Sequence, residues 1–395
     1  MKEKVEMRLL VLSREFPPGP GGIGTHAYQL CKHLSLIGWD VTVITPQDYA
    51  SEDDVRAFNI NQPFAITRVP SNRGAIIEGF HRLIVLRRHT ARNKPDLVIA
   101  SGERMVWLAA MVLGRSDMHW VAVGHGSEFG GRNRFARMLT SWAFGQASSV
   151  ICVSRFTWLL MEKAGIKARA GAVIHNGADD TVFRVMPDSE VGEFRQRMRL
   201  DGRKVIVTVG NVSERKGQQV VIKAMPYILR EVPQAVYVVV GRPTKQAEFL
   251  GLAQDLGVAD RVVFTGIAST ADVVGYLNVA DVFAMTSIRT ASGDCEGYGI
   301  AVVEAALCGK PSVVSQSGGL TEAIVDGVTG ISVPEGDEKA TAQAIVRLLK
   351  DDDLRNRMGR AALERARSQQ TWTQCIARYD VLLKQLLQQR TLNQP

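Results

Sequence analysis

Short apolar runs alternate along this chain with longer stretches in which apolar positions return every three or four residues. The runs read as buried strands at 8–13, 41–45, 64–69, 96–100, 120–123, 149–152 and 172–174. The stretches between them read as helices near 25–37, 76–92, 103–113, 134–146 and 155–164. A polar stretch at 178–200 follows, holding Asp179, Asp180 and most of the charged run EFRQRMRLDGRK. Then the rhythm restarts, with strands at 205–210, 236–240, 262–265, 281–286, 312–315 and 330–333. Helices near 217–231, 245–256, 270–278, 299–308, 320–326 and 338–350 separate them. Such alternation implies parallel sheets joined by right-handed crossovers. Two series in tandem predict an α/β protein of two Rossmann-like domains facing across a cleft, residues 1–180 and 181–371.

Composition narrows the class without naming a function. A chain of 395 residues is long enough for two full cores. Apolar content of 46% and charged content of 22% fit a soluble globular protein. The five cysteines, Cys31, Cys152, Cys295, Cys308 and Cys375, are scattered, odd in number and without a CxxC pair. That argues against a disulfide framework or zinc site and for a reducing cytosol. The start MKEKVEMRLLVLS lacks a signal-peptide core, and no window approaches 18 consecutive apolar residues. The expected location is therefore cytoplasmic, free or peripheral at the inner face of a membrane. Formal net charge is +8. Residues 1–180 hold 22 Lys+Arg against 16 Asp+Glu, leaving 26 against 24 for the rest. A basic N-terminal half attracts nucleic acid, an anionic membrane or a phosphorylated substrate. No nucleic-acid motif or aromatic platform accompanies the charge, so nucleic acid is not an expected partner.

The most informative segment is Glu296-Gly-Tyr-Gly-Ile-Ala-Val-Val-Glu304. Gly297 and Gly299 allow a tight bend around Tyr298, and a helix begins near Gly299 and Ile300. Its first N–H groups lack intrahelical partners and, with the helix dipole, suit a diphosphate. Glu296 and Glu304 then offer carboxylates to sugar hydroxyls. A second segment, Gly210-Asn-Val-Ser-Glu-Arg215-Lys216-Gly217, ends a strand and opens a helix. Two cations beside a helix N-terminus are unfavourable unless an anion sits there. A leaving diphosphate supplies that anion, with Lys216 as a point charge and Arg215 as a fork. His125, between Gly124 and Gly126, follows a buried strand where α/β proteins bind ligands. The loop Gly19-Pro-Gly21-Gly22-Ile-Gly24 fits GxGxxG and suggests a dinucleotide. Five residues, Arg14 to Pro18, separate it from its strand, and the second strand ends Ile44-Thr45-Pro46 with no acid for a ribose. His26, on the next helical turn, faces either an acceptor or the core. A glycosidase using Glu296 and Glu304 as its carboxylate pair is the rival enzyme reading; it leaves Lys216 and the glycine loops unexplained.

The segment EGYGIAVVEAALCGKP at 296–311 resembles the E-x7-E signature of glycosyltransferase family 4, retaining nucleotide-sugar enzymes of the GT-B fold. The likeness covers nearly the whole chain, through the loop at 19–24, VIHNG at 173–177, RKG at 215–217 and GG-L-T-E at 318–322. RKGQQVVIKAMP with SGDCEGYGI is similar to the phosphatidylinositol mannosyltransferase branch. The resemblance implies that Glu304 binds the donor ribose and that Glu296 holds the transferred sugar. It puts Gly21 and Gly22 against the donor β-phosphate, Gly266 and Ile267 at the nucleobase, and His125 near the sugar. It also returns a last helix, 372–390, to the N-terminal domain. One departure stands out: relatives often carry an arginine where this chain has Asn211. Either Arg215 substitutes for it or the site has one cation fewer.

The expected activity is retaining transfer of a hexose from a nucleotide-diphosphate sugar, GDP-mannose or a UDP-sugar. The acceptor is a hydroxyl of a glycan, lipid-linked or small molecule. His125, Lys216 and Glu296 are the expected catalytic residues. No cofactor and no metal are expected, because the seven histidines are dispersed and no HxxxH is present. The alternative is a non-catalytic GT-B module that only binds the nucleotide sugar. Peripheral contact with an anionic membrane is a further expectation. Ile76, Ile77, Phe80, Leu83 and Ile84 recur at helical spacing, with Arg82, Arg88, His89 and Arg92 mostly off the stripe. The same stripe also suits packing on the chain's own sheet. Arg132, Arg134 and Arg137 add a second basic cluster.

Overall fold

The computed structural model describes residues 7–19, 21–47, 50–70, 75–130 and 134–392. The chain divides into two compact units. One takes the residues up to Asn176 and those from Trp372 onward; the other is Gly177–Thr371.

The first unit holds a parallel sheet of seven strands: β1 (Met7–Ser13), β2 (Trp39–Gln47), β3 (Ala65–Pro70), β4 (Leu97–Ser101), β5 (Trp120–Gly124), β6 (Ser149–Cys152) and β7 (Gly171–Val173). Their order is β3-β2-β1-β4-β5-β6-β7. Val11 of β1 lies between Val43 of β2 and Ile99 of β4. β4, β5 and β6 are buried throughout, which is why they read as unbroken apolar runs. The last helix, Trp372–Leu392, belongs to this unit. Trp39 donates its indole N–H to Asp380 at 2.8 Å, and the helix packs on Gly22–Leu36.

The second unit holds six parallel strands: β8 (Lys204–Val209), β9 (Ala235–Val240), β10 (Val262–Gly266), β11 (Val282–Met285), β12 (Ser312–Ser315) and β13 (Gly330–Val333). Their order is β10-β9-β8-β11-β12-β13. In each sheet the direction of winding reverses beside the first strand, at β1/β4 and at β8/β11. Loops at the carboxyl ends of such strands form the usual ligand crevice of an open α/β sheet.

Three helices escape the sequence pattern: Glu52–Ile60, Asp188–Arg197 and Asp352–Gln369. The first two bury a single side chain each, Val55 and Phe194, so they carry no periodic stripe. Charge tethers the last two of the three. Asp281 accepts from the Val205 N–H at 2.7 Å and faces Arg195 and Arg355, each 3.7 Å away. The expected stripe on 76–92 divides. Leu83 packs against the core beside Val85 and the fully buried Leu86, while Ile84 is exposed. The side chains of Ile76, Ile77 and Phe80, and all of Arg132, lie outside the described residues. Among the described residues no helix is long and apolar enough to cross a membrane.

Candidate active site

Three loops of the second unit meet at the carboxyl ends of β8, β11 and β12. After β8 the chain makes one 3-10 turn, Glu214–Lys216, and then the helix Gln218–Glu231. Gly217 joins them at φ 74°, and a Cβ there would run into the Thr286 carbonyl. The β11 loop thus lies directly on the basic turn. Ile288 donates its N–H to the Arg215 carbonyl at 3.0 Å, and the Thr286 hydroxyl donates to that of Gly217 at 2.8 Å. After β12, Gly319 donates its N–H to the Glu296 carbonyl at 2.9 Å. Gly318 stands at φ 63° with the same carbonyl where its Cβ would be. Glu296 is therefore fixed through its backbone as well as its side chain.

Its carboxylate collects both cations. Lys216 Nζ donates to Glu296 Oε2 at 2.7 Å, and Arg215 Nη1 donates to the same oxygen at 2.5 Å. Arg215 Nε also faces Asp294 Oδ2 at 3.3 Å. Burial opposes charge on Glu296, but Lys216 and Arg215 outweigh it and hold the carboxyl down at about 2. Glu296 in turn raises Arg215, whereas burial lowers Lys216 against the pull of Glu296. The anion that the sequence required beside these cations is thus supplied by the chain itself, as Glu296.

Glu304 differs. It lies one turn into the helix Ile300–Leu307, which Gly299 caps without any side-chain hydrogen bond. Burial pushes its carboxyl up to about 7, against the pull of Lys216. The Tyr298 side chain turns inward, where its hydroxyl accepts from Gln370 Nε2 at 2.9 Å. Only the backbone of that residue is left for the loop. Gly266 ends the edge strand β10 and Ile267 follows it, with β9 between β10 and β8; Ile267 is 75% exposed. Asn211 accepts from the Thr244 hydroxyl at 2.7 Å. Arg215 reaches Glu296 from four positions further on.

The first unit gathers a different set. Gly21 and Gly22 open the helix Gly22–Leu36, again with no side-chain cap. His125 follows β5, and its Nε2 shares a hydrogen bond with Ser101 Oγ at 2.9 Å. Glu128, buried, accepts the backbone N–H of His125 at 3.1 Å and of Gly126 at 2.7 Å. His26 is fully buried, so it faces the core. Its Nε2 bonds the Tyr379 hydroxyl at 3.0 Å, and its ring meets His125 edge-on at 5.1 Å. Burial lowers His125 to about 4 and lowers His26 well below the usual histidine range. Burial also raises Glu128 to about 7. Sequence reasoning missed Ser101, Glu128, Asp294 and Tyr379 as neighbours of these residues. Asp294 and Glu128 left local signals, two positions before Glu296 and three after His125.

The family description Glycosyl transferases group 1 matches residues 191–365, and Glycosyltransferase Family 4 matches 20–182. A GDP-mannose-dependent alpha-(1-6)-phosphatidylinositol monomannoside mannosyltransferase of Mycobacterium tuberculosis (strain CDC 1551 / Oshkosh) is 30% identical over 380 residues, covering 94% of this chain and 96% of its own. The chain belongs to the family 4 glycosyltransferases. This glycosyltransferase is also similar, at 26% identity over 397 residues, to a glycogen synthase of the same organism, covering 93% of this chain and 92% of that one. Its fold matches the GT-B structure of Anabaena Alr3699/HepE in complex with UDP and glucose. The TM-score is 0.82 at 20% identity, over 96% of this chain and 100% of that one.

Proposed function

We propose that the protein transfers a hexose, with retention of configuration and without a divalent ion, from a nucleotide-diphosphate sugar to an acceptor hydroxyl. The carrying observation is the convergence of Arg215 and Lys216 on one oxygen of Glu296 at the β8/β11 switch point. A site that holds two cations on one internal carboxylate is suited to take a diphosphate in exchange. On binding, the phosphates draw Lys216 and Arg215 away, and Glu296 is freed to accept a hydroxyl of the transferred sugar. Lys216 and Arg215 then stabilise charge growing on the leaving phosphate. Glu304 receives the ribose, and the uncapped helix start at Gly299 adds N–H donors. Gly266 and Ile267 take the nucleobase. In the first unit, Gly21 and Gly22 offer a second uncapped helix start to phosphate, and His125 acts as a neutral sugar-site residue. GDP-mannose is the preferred donor, since a GDP-mannose-dependent mannosyltransferase is 30% identical over 94% of this chain. A lipid-linked glycan reached by peripheral contact with an anionic membrane is the preferred acceptor.

Thermal melting with GDP-mannose, UDP-glucose and ADP-glucose tests the donor. The true donor at ~100 times its Kd stabilises the fold by about 2.7 kcal/mol through mass action. No shift with any nucleotide sugar sinks the reading. NMR of the product must show the donor's anomeric configuration, with activity surviving excess EDTA.

A further inference from the structure

The helix Arg134–Gln146, RFARMLTSWAFGQ, has apolar residues on two faces. Thr140, Ala143 and Phe144 are buried. The Trp107 indole donates to Thr140 at 3.2 Å, and Thr140 donates to the buried Glu103 at 3.0 Å. That face fixes the helix to its unit. Phe135, Met138 and Trp142 follow one another at spacings of three and four, so they share a second face. They are 74%, 71% and 44% exposed. Three large apolar side chains on one side of a helix are more than the scattered exposure that needs no explanation. Arg134 and Arg137 are exposed beside them, and the helix contains no Asp or Glu.

We infer that this face is the surface by which the protein docks on an anionic lipid membrane. The assignment rests on the membrane contact proposed above and moves it from the 76–92 stripe, whose Leu83 belongs to the core. Charge decides between occupants. A second copy meeting this face about a two-fold axis sets Arg134 and Arg137 against their own kind, with no acid on the helix to answer them. An anionic headgroup layer answers both. Phe135, Met138 and Trp142 enter the boundary of headgroups and acyl chains, Trp142 suits that depth, and the guanidinium groups meet lipid phosphates.

Sedimentation of the full chain with vesicles tests it, using phosphatidylcholine alone or mixed with phosphatidylglycerol. The wild type binds only the mixed vesicles, and less as salt passes ~0.15 M, where screening acts within about 8 Å. The triple change Phe135→Ser, Met138→Ser and Trp142→Ser lowers the partition coefficient about tenfold or more. Arg134→Glu with Arg137→Glu lowers it as well. All five side chains are exposed, so thermal melting and the nucleotide-induced shift stay as in the wild type. Brominated lipid quenches fluorescence in the wild type and less in Trp142→Phe. Absence of wild-type binding overturns both the membrane contact and this surface. Wild-type binding that survives the triple change overturns the surface alone. A concentration-dependent dimer lost in the triple variant, without vesicle binding, gives the face to a second copy.

Discussion

The carboxyl ends of the two sheets share a topology and differ in what they do with charge. At β8/β11, Lys216, Arg215 and Glu296 stay ionised because both cations meet the Glu296 carboxylate. At β4 and β5, His125 and its neighbour His26 are kept neutral by burial, and each meets a hydroxyl, that of Ser101 or Tyr379. The first arrangement is the one proposed to exchange its internal anion for a diphosphate. The second offers hydrogen bonds whose protonation does not change near neutral pH. One fold therefore supplies a charged cluster and a neutral polar cluster through the residues placed after its strands.

The largest effect is expected where the charged end loses its most enclosed cation. Lys216→Ala should cut turnover by roughly a hundredfold or more and weaken binding of the free nucleoside diphosphate. Arg215→Ala should do less, since Asp294 also holds that guanidinium and Lys216 remains. Steady-state kinetics with calorimetry decide it. Near-normal turnover of Lys216→Ala at saturating donor breaks the contrast between the two ends.

How much of this was legible follows from which forces act locally. Strands β1 and β4 to β6, and β8 and β9, are buried runs, and burial on both faces writes itself into consecutive residues. The Glu296–Glu304 segment was legible because a cap-free helix start needs its glycines at fixed positions. The partner of Lys216 was not, because a sequence separation of 80 from Glu296 hides the contact. Asp188–Arg197 was read as a polar boundary, since Phe194 is its only buried residue. Asp352–Gln369 buries Met358, Gly359, Ala362 and Ala366, a stripe of mostly small residues that an apolar count passes over.

A second pair of variants sharpens the comparison within the charged end. Glu296→Gln removes the internal counter-ion, so free nucleoside diphosphate should bind several-fold tighter while turnover falls about tenfold or more. Glu304→Gln should weaken nucleotide binding instead. Calorimetry with the free diphosphate separates them, and equal loss in both variants rejects the division. Their pH signatures are opposite in sign. Glu296, held at about 2, adds stability that is present above the ordinary carboxylate range and is lost as pH falls toward 2. Glu304, raised to about 7, favours the fold while protonated, and that contribution is lost as pH rises through 7. Melting curves above pH 7 should therefore show Glu304→Gln more stable than the wild type.

The smallest effect belongs to the neutral end. His125 is lowered by burial to about 4, so the fold prefers the uncharged ring. The sign of the linkage follows. Stability from this group is fully present above the unfolded histidine value of about 6.5 and is lost as pH falls from there toward 4. His125→Asn removes the titrating group but keeps a side chain able to hydrogen-bond Ser101. Its melting temperature should fall less steeply than that of the wild type across this interval, with a difference on the order of 1–2 kcal/mol after allowance for partial exposure. Its turnover should drop while its affinity for free nucleoside diphosphate is unchanged, because Lys216 and Arg215 lie in the other unit. His26, which also titrates low, stays in the variant and keeps a residual slope. A pH–stability curve identical to that of the wild type means that His125 is not held neutral by the fold, and the contrast between the two sheet ends fails there.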